Sequence, residues 1–168
     1  TIVAASPLGR GPGVLGTSDG RVIPVEVKFA VSHQGTIRSV SPDPIVGNAF
    51  RADPAGRPIR HLAHAVTKDG PVTAATVGGR EVLLVSLTER KALVGPSAKE
   101  EIRTTLTIPG SGEIAALALD NRGEDLFIGT SAGEIVRVDL REREQPHTSI
   151  ARASAAAARS LSHRLPPA

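Results

Sequence analysis

Short apolar runs bounded by glycine or proline set the pattern of this chain. Between Ile102 and Ile108, Ile, Thr, Leu and Ile alternate at period two, as in a half-buried strand. Residues 113–140 carry the clearest version. There the pattern predicts strands over Glu113–Leu119, Asp125–Thr130 and Glu134–Leu140, with turns at Asp120–Gly123 and Ser131–Gly133. The same logic predicts hairpins over 14–19 with 22–31, and over Val72–Val77 with Glu81–Glu89. Shorter strands are expected at Thr1–Ala5, Thr36–Ser41 and Ile59–Val66. Pro24 argues for an edge or a bulge in its strand. Residues 1–13, 42–58 and 90–100 read as mainly irregular, because proline, glycine and charge interrupt any period.

One phrase occurs twice. Gly16, Thr17, Ser18, Gly20 and Val25 recur as Gly129, Thr130, Ser131, Gly133 and Val138, all offset by 113 positions. Leu15/Ile128, Val22/Ile135, Ile23/Val136 and Glu26/Asp139 are conservative pairs in the same frame. A weaker copy runs from Thr73 to Leu87, so that Val22, Val82 and Ile135 each follow a glycine turn at spacings of 60 and 53. A repeat of about 40–50 residues with several strands suits a propeller blade. The fold expectation is therefore all-β and antiparallel, of WD40-like or β-propeller type. Its repeat units centre near 14–27, 73–87 and 114–140 within a domain at 1–145. Three units fall short of the four to eight blades of a closed propeller. The ring is then either partial or completed by oligomerisation.

Beyond residue 145 the pattern stops. Residues 146–168 are rich in Ala, Arg, Ser and Pro, with almost no apolar residue larger than Ala after Ile150. They read as a basic tail, with a short helix expected over Ala153–Leu161.

Composition narrows the chemistry. The chain has 168 residues with 3 Phe and no Trp, Tyr, Met or Cys, so its core rests on Val, Ile, Leu and Ala. The lack of cysteine excludes disulfides and thiol chemistry. No run of eighteen apolar residues is present, and no signal peptide is recognisable. The net charge of +3 is scattered over residues 1–140, as on a solvated surface. The pI of about 9.9 raises nucleic-acid binding, but single-strand binders need stacking aromatics. Specific nucleic-acid recognition is not expected; the basic tail suits only non-specific contact with a polyanion or lipid headgroups.

No catalytic constellation assembles. Gly9-Arg-Gly-Pro-Gly13 is followed by a strand rather than a helix and lacks the Lys-Ser/Thr of a phosphate loop. His61 and His64 are spaced i, i+3, which on a strand places them on opposite faces. His33, His147 and His163 have no neighbouring ligand pattern. Ser18 and Ser131 sit in turns and lack a base. Asp120, Asn121 and Asp125 lack calcium-loop spacing. The expectation is a non-enzymatic chain with no catalytic residues, no cofactor and no metal.

Residues 114–140 resemble a WD40-type blade, with Val138-Asp139 standing where many blades carry Trp-Asp and the preceding His absent. More narrowly, 19–27, 91–95 and 114–140 are similar to the periplasmic insertion in the permease subunit of some proteobacterial phosphate ABC transporters. That resemblance implies a propeller-like extracytoplasmic domain on the periplasmic side of a bacterial inner membrane. Its implied partners are other transporter subunits or a periplasmic phosphate-binding protein. Membrane contact would come only from segments outside these residues, and no channel residue carries over. A cytoplasmic propeller scaffold unrelated to transport is the alternative.

Overall fold

In a computed structural model the chain is described over residues 1–6, 11–68, 70–90 and 98–152. Thirteen strands and no helix occur among these residues. The first sheet contains β1 (Ile2–Ala5), β2 (Gly11–Thr17), β3 (Arg21–Gln34) and β4 (Ile37–Val46), in that order, with β5 (Phe50–Arg51) pairing β3. The second holds β6 (His61–Thr67), β7 (Gly70–Thr76), β8 (Glu81–Arg90) and β9 (Ala98–Thr107). The third holds β10 (Ile114–Leu119), β11 (Asp125–Thr130), β12 (Glu134–Asp139) and β13 (His147–Arg152). The main path of each sheet is an antiparallel meander in chain order.

The sheets stack through two apolar layers. Val14 and Val22 of the first sheet meet Ile59, Leu62 and Ala75 at the second. Ala63, Val72, Ala74, Val82 and Leu84 on the other face of the second sheet meet Ile114, Leu126, Ile128, Val136 and Val138 of the third. β6 contacts both β1–β2 and β10. Backbone bonds stitch the stack: Ile59 N donates to Thr17 O at 3.1 Å, and Ile114 N to Gly79 O at 2.7 Å.

The repeated phrase closes the β2–β3 and β11–β12 hairpins. Gly20 and Gly133 have φ of 77° and 78°, a region open to glycine at no steric cost. Thr17 Oγ1 accepts from Arg21 N at 2.9 Å, and Thr130 Oγ1 from Glu134 N at 3.2 Å. In the second sheet Thr76 Oγ1 donates to Glu81 O at 2.7 Å. A threonine hydroxyl thus ties each of the three hairpins.

Several elements differ from the sequence expectation. Gly11–Gly13 lie in β2 rather than in a loop. β4 runs through Pro42 and Pro44 to Val46, well beyond Ser41. Proline spaced i, i+2 puts both donorless nitrogens on one side of the strand; on an edge strand that side faces outward. Pro24 sits where β3 changes outer partner, between the β4 pairing from Val25 and the β5 pairing at Arg21 and Val22. Lys99–Glu101 lie in β9, not in a loop. His147–Arg152, read as part of the tail, pairs along β12 from Asp139↔His147 to Glu134↔Arg152. The helix expected over Ala153–Leu161, and residues 91–95, lie outside the described residues.

Candidate interaction surface

β3 and β4 form a long hairpin of ten paired positions, as many as β8 and β9 form in the second sheet. Fourteen residues of β3 span about 45 Å at the usual rise of a strand. Register pairs Val25↔Val46, Val27↔Pro44, Phe29↔Pro42 and Val31↔Val40, so these eight share one face. The opposite face carries Lys28↔Asp43, Ala30↔Ser41 and Ser32↔Ser39. Gly35, with φ of 62°, closes the tip.

The apolar face is open. Phe29 is 57% exposed, and Val31, Val40 and Val46 are also exposed. Pro42 and Pro44 are exposed beside them, while Val25 and Val27 are half-buried at the base. The outer edge of β4 is blunted by its two prolines, which disfavours strand addition. The face, rather than the edge, is the open surface of this hairpin. Burying a Phe or Val side chain contributes about 1.5–3 kcal/mol.

A second concave feature lies between the β6–β7 end of the second sheet and the turns of the third. This cleft, of roughly 530 Å³, is lined by Thr67, Lys68, Arg122, Glu124, Arg141 and Arg143, among others. Its basic charge is partly balanced from within: Arg141 pairs with Asp139 at 3.1 Å and Glu124 at 3.7 Å. Arg143 donates to Thr67 Oγ1 at 3.4 Å. Among the described residues no histidine lines this cleft.

The residues weighed for chemistry are dispersed. His61 and His64 stand on opposite faces of β6, against Thr76 and Thr73. His64 Nδ1 lies 3.0 Å from Thr73 Oγ1, while its Nε2 is buried without a hydrogen-bond partner. Burial holds the His64 imidazolium pKa below the usual value; burial, then the Arg60 charge, does the same for His61. Asp120 Oδ1 accepts from Glu124 N at 2.7 Å and Asp125 N at 3.0 Å, so one of its oxygens caps a turn. Ser131 Oγ accepts from Glu113 N at 2.9 Å. Ser18 lies beside the chain's first residue, with Thr1 N 3.4 Å from its Oγ. His33 and His147 are exposed on different sheets, and His163 lies outside the described residues. Among the described residues no three His, Asp or Glu side chains are grouped to hold a metal ion. The apolar hairpin face was not singled out from sequence. Its signal was the alternation Val25, Val27, Phe29, Val31, answered by Val40, Pro42, Pro44 and Val46.

Compared with known proteins, the chain matches no family model and no curated relative. No helix among the described residues is long and apolar enough to cross a membrane.

Proposed function

We propose that this chain is a non-catalytic protein-interaction domain built of propeller-type blades. Its three consecutive meanders, stacked face to face, support the blade reading. The observation that carries the interaction role is the unpartnered apolar face of the β3–β4 hairpin, with Phe29 at its middle. A small domain that leaves such a face open exposes a docking surface.

The setting comes from the resemblance at 19–27, 91–95 and 114–140: the extracytoplasmic part of a phosphate-transport permease on the periplasmic side of an inner membrane. Its partner there is the phosphate-binding protein, engaged through protein surface rather than through the ion, since the docking face is apolar. Purified full-length chain should bind that protein, and Phe29→Asp with Val31→Asp should weaken binding at least tenfold while far-UV dichroism stays unchanged. Equal affinity for the variant would remove the hairpin from the interface; absence of binding by the parent chain would remove the partner.

A further inference from the structure

The walls of the cleft between the second and third sheets are tied in place. Asp120 Oδ1 accepts from Glu124 N and Asp125 N, which fixes the turn before β11. Gly123, with φ of 64°, seats that turn on the second sheet so closely that a Cβ there would come within 2.6 Å of Thr67 Cγ2. Leu140 N donates to Glu124 O at 2.7 Å and fixes the chain that carries Arg141 and Arg143 away from β12. Arg143 reaches back across the sheets to Thr67.

Among the described residues Lys68, Arg122, Arg141 and Arg143 line the cleft, against a single carboxylate, Glu124. Glu142 and Glu144 belong to the same connection but do not line it. Lys68 and Arg122 are exposed, and among the described residues their side chains form no ion pair. Glu124 Oε2 stands 3.7 Å from Arg141 Nε, beyond hydrogen-bond length, and the two side chains are 43% and 58% exposed. An exposed pair of this kind contributes at most about 1 kcal/mol, so an incoming carboxylate can exchange for Glu124. The same guanidinium already seats one carboxylate, that of Asp139, at 3.1 Å. Val66, 51% exposed, adds an apolar wall.

These groups select a ligand. The arginine fork matches carboxylate and phosphate alike. A continuous phosphate chain would meet Glu124, and no aromatic side chain lines the cleft to stack a base. A peptide that mixes carboxylates with apolar side chains satisfies both the cations and Val66. We propose that the cleft binds an acidic segment of a partner protein, with its carboxylates on Lys68, Arg122 and Arg141 and an apolar side chain against Val66. Glu124 is the internal competitor, holding Arg141 until the segment displaces it. The site is separate from the β3–β4 face and does not rest on the reading of that hairpin.

The test is fluorescence anisotropy of a labelled synthetic peptide alternating Glu with Val, titrated with the full chain at fixed ionic strength. Saturable binding is expected, and a peptide with Gln in place of Glu should not bind. Lys68→Glu with Arg122→Glu should weaken binding by about tenfold, and Glu124→Gln should tighten it by about threefold. Both changes fall on exposed or half-exposed side chains, and far-UV dichroism checks that each variant folds. Phe29→Asp should leave the affinity unchanged, which separates this site from the hairpin. No binding, equal binding of the Gln peptide, indifference to the charge reversal, or looser binding by Glu124→Gln would overturn the proposal. A single-stranded oligothymidylate that binds more tightly than the peptide would overturn it in favour of nucleic acid.

Discussion

Ile59 lies directly over the bare backbone of Gly16: a Cβ on Gly16 would come within 2.7 Å of Ile59 Cγ2. The contact is where the first sheet docks on the second, beside the bond from Ile59 N to Thr17 O. Glycine in the repeated phrase therefore has two uses. Gly20 makes the turn, and Gly16 lets the next sheet approach.

Gly16→Val forces Ile59 away and should destabilise the chain by about 1–3 kcal/mol through overpacking. Adding Ile59→Ala should make the two effects less than additive, because the smaller side chain clears the space. Urea denaturation of the two single variants and the double variant measures this. Strict additivity would mean that Gly16 is not a docking position.

The hairpin threonines offer a second check. Thr130 is fully buried, and its hydroxyl accepts from Glu134 N. Thr130→Val keeps the shape but removes that acceptor, and should cost about 1–3 kcal/mol. Thr130→Ser retains the hydroxyl and should cost less. The order of the two midpoints in denaturant decides the point.

Acid should act first through histidine. The His64 pKa is lowered in the fold, so its neutral form is favoured there. The unfolded chain then binds more protons below the ordinary histidine value of about 6.5, and stability falls as pH drops through that value. His61 shifts in the same direction and adds to the loss. Asp53 acts lower. Its carboxylate accepts from Arg57 Nη2 at 2.8 Å and Arg57 N at 2.7 Å, and chiefly the bond to the Arg57 side chain holds its pKa down. That contribution is present above the ordinary Asp value and disappears as pH falls below it. Because Arg57 is 59% exposed, water screens the pair and the second step should be modest. Denaturant midpoints between pH 8 and pH 5 should fall less steeply for His64→Leu than for the parent; parallel slopes would exclude His64.

The hairpins at 14–31, 73–87 and 125–140 were legible because glycine turns between β-branched runs have few other solutions. β13 was not, because His147–Arg152 lacks a strong apolar alternation and owes its strand form to pairing with β12. The length of β4 was hidden for a related reason. Pro42 and Pro44 break an isolated pattern, yet an edge strand tolerates both. The docking face was hidden with it: register, which local sequence does not specify, brings Phe29 opposite Pro42 and Val31 opposite Val40. The scattered chemistry was easier to judge, since the i, i+3 spacing of His61 and His64 already separates them across a strand.

The interaction role turns most directly on amide hydrogen exchange of the full chain with and without the phosphate-binding protein. The account predicts added protection concentrated between Val25 and Val46. Protection confined to the cleft residues Lys68, Arg122 and Arg141, or no change anywhere, would contradict it.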